Sequence, residues 1–167
     1  MRILIAGVGN MLRGDDGFGI EVLHRLEQEI GEAEVTFYES GIAGIGLVQQ
    51  LLNGYDALII LDALDRGAAP GTVFVQEPDV EALATPGRMR EPVDLHQADP
   101  EGVLRLAVAL GALPRRVWVV GCQAVACDEL GAGLSEPVLR AVPAVMRQVQ
   151  NLLTTLQAAA RGTDGSV

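Results

Sequence analysis

The stretch Arg2-Ile3-Leu4-Ile5-Ala6-Gly7-Val8-Gly9-Asn10 decides the fold of this chain. It is an apolar strand that breaks into a glycine turn, and two adjacent carboxylates, Asp15 and Asp16, follow it. Apolar residues between Phe18 and Leu23 then recur at helical spacing. A strand, a glycine turn and a helix in this order open many α/β sheets, whose ligands bind at the carboxyl edge of the strands.

The chemistry of this first loop indicates the charge of its ligand. A loop that binds a nucleotide offers backbone amides and avoids negative charge, because its ligand is an anion. Here the loop carries Asp15 and Asp16, which suit a cation instead. The loop therefore predicts a site that handles a metal.

The rest of the chain repeats the alternation of strands and helices. Apolar runs predict strands near 2–6, 34–38, 57–62, 72–76 and 116–121, and helical periodicity is present near 16–30, 43–53, 100–111 and 135–158. This alternation predicts one three-layer α/β domain over residues 1–160, with a mainly parallel sheet covered by helices on both faces. The short turn at 69–71 predicts that strand 72–76 runs antiparallel to its predecessor, and we expect the polar tail 161–167 to fray.

Composition excludes several classes of function. The 167 residues carry a net charge of −10, and the chain contains no lysine, so nucleic-acid binding is disfavoured and P-loop or Schiff-base lysine chemistry is absent. No apolar run reaches the ~18 residues that a membrane span needs. Without a secretory signal, and with Cys122 and Cys127 interpreted as reduced thiols, the chain is expected in the cytoplasm.

Three loops carry candidate ligands at the same predicted sheet edge. Asp15 and Asp16 follow the first strand, Asp62 ends the third, and His96 lies near the end of a long loop over 77–98. Each residue taken singly also has an ordinary structural interpretation: one of the first two aspartates would be a helix N-cap, Asp62 would cap a turn, and His96 would be a common loop histidine. Together, carboxylates and an imidazole suit zinc, nickel or iron.

At these residues the chain resembles the hydrogenase maturation endopeptidases, the nickel-dependent proteases that trim the large subunits of nickel-iron hydrogenases. The resemblance is carried by Gly7-Val8-Gly9-Asn10-x-Leu12-x-x-Asp15-Asp16-Gly17-x-Gly19, by Leu61-Asp62-Ala63 and by His96-Gln97. It implies a five-stranded α/β fold, with Asp16, Asp62 and His96 as the nickel-contacting and catalytic positions.

Two segments depart from the family pattern. After the second strand the family has an Asp-Gly-Gly-Thr-like turn, and this chain has Glu39-Ser40-Gly41-Ile42. After the fifth strand the family often has Gly-x-(Glu or Gln)-Pro, and here the sequence is Gly121-Cys122-Gln123-Ala124. Neither departure touches the three ligand positions.

The resemblance implies an endopeptidase that removes a C-terminal extension from a hydrogenase large-subunit precursor once nickel has been inserted, with the nickel carried by the substrate and no nucleotide required. One alternative is a nickel-binding chaperone that presents metal to the same precursor without cleaving it. Another is a dinucleotide-binding domain, because Gly7-Val8-Gly9 supplies half of the G-x-G-x-x-G motif; Leu12 stands where its third glycine would be.

Overall fold

The computed structural model describes residues 1–31, 35–41, 44–83, 100–125, 130–131 and 133–163. Its centre is a sheet of five strands in the spatial order β2-β1-β3-β5-β4. The strands are β1 (Ile3–Val8), β2 (Val35–Gly41), β3 (Ala57–Leu64), β4 (Val73–Gln76) and β5 (Arg116–Gln123). All neighbouring pairs are parallel except β4 and β5, which are antiparallel.

Helices cover both faces of this sheet. They are α1 (Phe18–Ile30), α2 (Gly44–Leu51), α3 (Val80–Leu83), α4 (Pro100–Ala109) and α5 (Glu136–Thr163), and a 3-10 turn over Gly14–Gly17 precedes α1. The apolar sides of α1 and α5 bury one face of the sheet, and those of α2 and α4 bury the other. Strands β1 and β3 are apolar on both faces because both faces are covered, as expected for the middle of a parallel sheet.

The predicted architecture is confirmed, including the reversed direction of β4. Strand β4 lies at the sheet edge and pairs with β5. The short turn between β3 and β4 therefore reverses the chain direction, although these two strands are not neighbours in the sheet. Helix α5 continues through Pro143 without ending, and it reaches Thr163, inside the segment expected to fray. In the ranges that the structure describes, no helix is both long enough and apolar enough to cross a membrane.

The strand order creates a switch point between β1 and β3. From β1 the chain passes through α1 to β2 on one side, and then through α2 on the other face back to β3. The connection that leaves β1 therefore leads to β2 on one side, whereas the connection that leaves β3 leads to β4 on the other, so the two diverge at the carboxyl ends of β1 and β3. In open α/β sheets the ligand crevice lies at this kind of position.

Candidate active site

Asp16 and Asp62 flank the switch point. Asp62 lies in β3 next to its carboxyl end and is 7% exposed, and Asp16 is half-buried in the 3-10 turn that follows β1. Strands β1 and β3 are neighbours, and the 3-10 turn contacts β3. The sheet thus places both predicted aspartates at the carboxyl ends of β1 and β3, beside the switch point.

Glycines allow neighbouring backbone to pack tightly against the main chain of both aspartates. A Cβ atom on Gly9, whose φ is +124°, would lie 1.8 Å from the carbonyl oxygen of Asp16. A Cβ atom on Gly121 of β5 would lie 2.0 Å from the carbonyl oxygen of Asp62. Both distances are far inside van der Waals contact, so a larger residue at either position would move the aspartate that it touches.

The N-cap of α1 is Gly17 and that of the 3-10 turn is Arg13, so the expectation that Asp15 or Asp16 is a helix N-cap is wrong. Asp15 has a different role. Its side chain is buried, and its carboxylate accepts hydrogen bonds from the main-chain N–H of Val125 (2.8 Å) and of Ser135 (2.6 Å). The Ser135 hydroxyl donates a third, at 2.9 Å. Asp15 therefore joins the loop after β1 to the chain after β5, while Asp16, one residue on, lies at the crevice.

His96 falls in the segment 84–99, outside the described residues, so the structure gives no position for it. Over the ranges that are described, no three His, Cys, Asp or Glu side chains come together as a set that could hold a metal ion. The assignment of Asp16, Asp62 and His96 as one ligand set remains a prediction. The two carboxylates at the switch point are of the donor type that a divalent cation uses.

A cleft of about 880 Å³ begins at Asp62 and runs between the end of β3, β4, α3 and α4. Among the residues that the structure describes, the charged side chains that line it are Asp62, Asp65, Arg66, Glu77, Asp79 and Glu101. Five are carboxylates, and the guanidinium of Arg66 donates a hydrogen bond to Gln76 Oε1 at 2.8 Å. This cleft could not be predicted from the sequence, because the segment after β3 that forms one wall has no motif and the opposite wall comes from residues that are distant in the chain.

Glu39, at the end of β2, forms an ion pair with His24 of α1. The distance between His24 Nε2 and Glu39 Oε2 is 3.0 Å, and both side chains are substantially exposed. His24 thus lies on the exposed side of α1 and is paired with a carboxylate that the sequence did not indicate. In this structure the carboxylate at the altered turn after β2 faces α1.

Cys122 is a buried free thiol in β5. Burial, with a smaller contribution from the negative charge of Asp15, raises its pKa to about 12. The thiolate is the nucleophilic and metal-binding form, so a thiol that stays protonated is a poor nucleophile. This agrees with the interpretation of Cys122 as an ordinary thiol, whereas Cys127 lies outside the described residues.

Known proteins resemble this chain over nearly its full length. A profile of the HycI hydrogenase maturation protease family matches residues 20–152. The hydrogenase expression/formation protein HupD of Rhizobium leguminosarum is 34% identical over 91% of this chain and 74% of its own. The corresponding protein HoxM of Azotobacter vinelandii is 34% identical over 98% of this chain and 78% of its own.

Comparison of the fold with solved structures leads to the same group of proteins. The hydrogenase maturating endopeptidase HybD of E. coli matches with a TM-score of 0.76 and 31% identity, over 93% of each chain. Fold and relatives together define the class as a small α/β endopeptidase. The chain belongs to the hydrogenase maturation protease family. Membership confirms the resemblance found in the sequence, and it does not support the dinucleotide-binding alternative.

Proposed function

We propose that this protein is a cytoplasmic endopeptidase that removes the C-terminal extension of a nickel-iron hydrogenase large-subunit precursor, and that it acts once nickel is in place. The observation that carries the proposal is the pair of carboxylates, Asp16 and Asp62, at the switch point of a maturation-protease fold. The buried free thiol of Cys122 fits a reducing compartment.

Nickel enters this proposal as part of the substrate. Asp16 and Asp62 offer two oxygen donors at the crevice, and His96, by the family resemblance, offers an imidazole. This donor set fits a divalent transition metal whose remaining ligands come from the precursor. A bound metal ion polarises a carbonyl group and increases the acidity of water.

The protein's own carboxylates would orient the scissile peptide and move its protons. Asp62 is nearly buried and is backed by Gly121, so its position is fixed by the sheet. Asp16 is half-buried in a turn and has access to water, so it suits a general base that takes a proton from the attacking water. The fixed carboxylate would serve to orient, and the accessible one to accept the proton.

The cleft beside Asp62 supplies the place for the substrate chain. Its volume of about 880 Å³ lies within the range of roughly 300–1,000 Å³ that is common for ligand pockets. Five of the six charged residues that line it within the described ranges are acidic, which favours a segment that carries positive charge. The extension would therefore lie along this cleft, with the scissile bond near Asp62.

Mass spectrometry of the precursor tests the proposal. A purified large-subunit precursor is incubated with the protein before and after nickel loading, and release of a C-terminal peptide is measured. We expect cleavage of the nickel-loaded precursor alone. An unchanged precursor mass that accompanies nickel transfer would support the chaperone alternative, and cleavage without nickel would contradict the proposed dependence on the metal.

A further inference from the structure

The side chain of Gln123 connects the end of β5 to the loop that follows β3. Gln123 is the last residue of β5, is 5% exposed, and lies beside Leu64 of β3 in the sheet register. Its Oε1 accepts hydrogen bonds from the main-chain N–H groups of Arg66 (2.7 Å) and Ala68 (3.2 Å). Its Nε2 donates to Asp65 Oδ1 and to the carbonyl oxygen of Ala124, both at 3.1 Å.

These four contacts use the full hydrogen-bonding capacity of a primary amide, which has two acceptor sites and two donor hydrogens. The main chain at Gln123 is fixed as well. Its N–H donates to the carbonyl oxygen of Thr72 (2.8 Å), and its carbonyl oxygen accepts from the N–H of Gly71 (2.8 Å). A buried side chain with every donor and acceptor used on a rigid strand is well suited to fix a neighbouring loop.

The loop that Gln123 holds is a wall of the cleft. Asp65 and Arg66 line the cleft within four residues of Asp62, and the Arg66 guanidinium reaches Gln76 of β4. The position of the Arg66 main chain therefore sets where this cation lies in the cleft. Gln123 itself is absent from the lining of the cleft, so it acts through the loop.

We propose that Gln123 is a positioning residue of this protease, whose side-chain amide holds residues 65–68 in the conformation that forms the cleft wall beside Asp62. The effect on cleavage rests on the proposed function, because it assumes that the cleft receives the substrate. The effect on the loop does not depend on that function.

Asp65 explains why the chain needs glutamine at this position. A glutamate would keep the acceptors for Arg66 and Ala68 but would place a second carboxylate within hydrogen-bond distance of Asp65. Like charges at this distance repel and disfavour the ionised forms. An asparagine at position 65 would restore a donor between the two side chains, so Asp65→Asn is expected to compensate Gln123→Glu.

The test compares Gln123→Glu, the double variant Gln123→Glu/Asp65→Asn, and the control Gln148→Glu, which makes the same charge change at an exposed position of α5. We expect Gln123→Glu to raise KM for the nickel-loaded precursor about tenfold, which is the scale of one lost hydrogen bond, with a smaller change in kcat. The KM increase should shrink as the pH falls, because the introduced carboxyl group, once protonated, can donate to Asp65. The double variant should recover most of the affinity, without this pH dependence.

Two measurements by NMR follow the loop without relying on proteolysis. Hydrogen bonds from Gln123 and from the Gly67 N–H lower the pKa of Asp65 below its usual 3.8, and Gln123→Ala should raise that pKa. Amide exchange at Arg66 and Ala68 should accelerate in Gln123→Ala and Gln123→Glu and stay unchanged in Gln148→Glu.

Faster exchange with the expected KM pattern supports the proposal. Unchanged exchange in Gln123→Glu, or no recovery in the double variant, would overturn it. A wild-type protein that leaves the precursor intact contradicts the proposed function, and the exchange rates then decide the role of Gln123.

Discussion

Asp15 and Ser135 are 120 positions apart in the chain, and the Asp15 carboxylate accepts both the main-chain N–H and the hydroxyl of Ser135, at 2.6 and 2.9 Å. Ser135 directly precedes α5, so this contact fixes the start of that helix against the loop after β1. A backbone hydrogen bond from the N–H of Gly131 to the carbonyl oxygen of Leu12 (2.9 Å) joins the same two regions. The loops that border the crevice therefore support each other.

We predict that Asp15→Asn lowers stability markedly. An amide has one acceptor oxygen in place of two, so the N–H donor of Ser135 or Val125 would face an NH₂ group and lose a hydrogen bond to a charged acceptor. The cost is about 2 kcal/mol, which corresponds to a fall of roughly 4 to 8 °C in melting temperature for a chain of this size. Thermal unfolding followed by circular dichroism measures it.

Two variants calibrate this result. Ser135→Ala removes one of the three bonds to Asp15 and should cost less, about 1 kcal/mol. Glu136→Gln alters an exposed residue paired with Arg140 and should change stability by less than about 0.5 kcal/mol. An Asp15→Asn protein as stable as Glu136→Gln would contradict the buried role of this carboxylate.

Loss of either crevice carboxylate should abolish processing without unfolding the protein. We expect Asp62→Asn and Asp16→Asn each to reduce cleavage of the nickel-loaded precursor by about 100-fold or more, the scale of a lost acid–base group. His96→Ala should do the same if the ligand set implied by the resemblance is right. The control is Asp56→Asn, just before β3 at the opposite edge of the sheet, which keeps an oxygen to accept from the Arg2 N–H (2.6 Å). Wild-type rates in Asp62→Asn would rule out this site.

Gly121→Ala should impair activity through its contact with Asp62. The added methyl group would lie 2.0 Å from the Asp62 carbonyl oxygen, so β3 or β5 must shift at the carboxylate. Small displacements of reacting groups are costly in catalysis, and we expect at least a roughly tenfold loss of kcat. Gly133→Ala is the matched control, since an added Cβ there meets no atom of the described residues within 4 Å. Equal kcat values for the two variants would argue against a constraint at Gly121.

Alkaline pH should weaken the fold partly through Cys122. Its pKa is raised to about 12 in the folded protein, whereas the unfolded thiol ionises near its usual value of 9.0. The unfolded state therefore loses a proton first, and the stability that the protonated thiol contributes declines as the pH rises from 9 to 12. Urea unfolding at several pH values should show that the free energy of unfolding falls more steeply with rising pH in the wild-type protein than in Cys122→Ala. Parallel curves would indicate that the thiol does not contribute.

The sequence predicted the features that depend on local pattern. Alternating apolar segments gave the strands and helices, and the three-residue turn at 69–71 gave the reversed direction of β4. Asp16 and Asp62 could be placed at one sheet edge because each follows or ends a parallel strand. The function of Asp15 could not be predicted, because its partners, Val125 and Ser135, lie 110 and 120 residues away and are reached only in the folded chain.

The cleft and the contacts of Gln123 could not be predicted from the sequence for a related reason. A glutamine at a strand end carries no periodic signal, and its importance comes from two main-chain N–H groups 55 and 57 residues earlier. The pairing of His24 with Glu39 likewise depends on how α1 lies against β2. Local patterns thus located the candidate ligands, whereas the structure was needed to find the groups that hold them.

The position of β5 in the sheet has a consequence for the order in which the protein can assemble during synthesis. Strand β5 lies in space between β3 and β4 but is made after both. A nascent chain that ends before Arg116 has β4 without its partner in the sheet and β3 with one side open. Gly121, which packs against Asp62, and Gln123 are both part of β5 and are therefore synthesised with it. The ribosome must therefore synthesise most of the chain before the cleft beside Asp62 can take shape, and we expect a product that ends before Arg116 to be inactive.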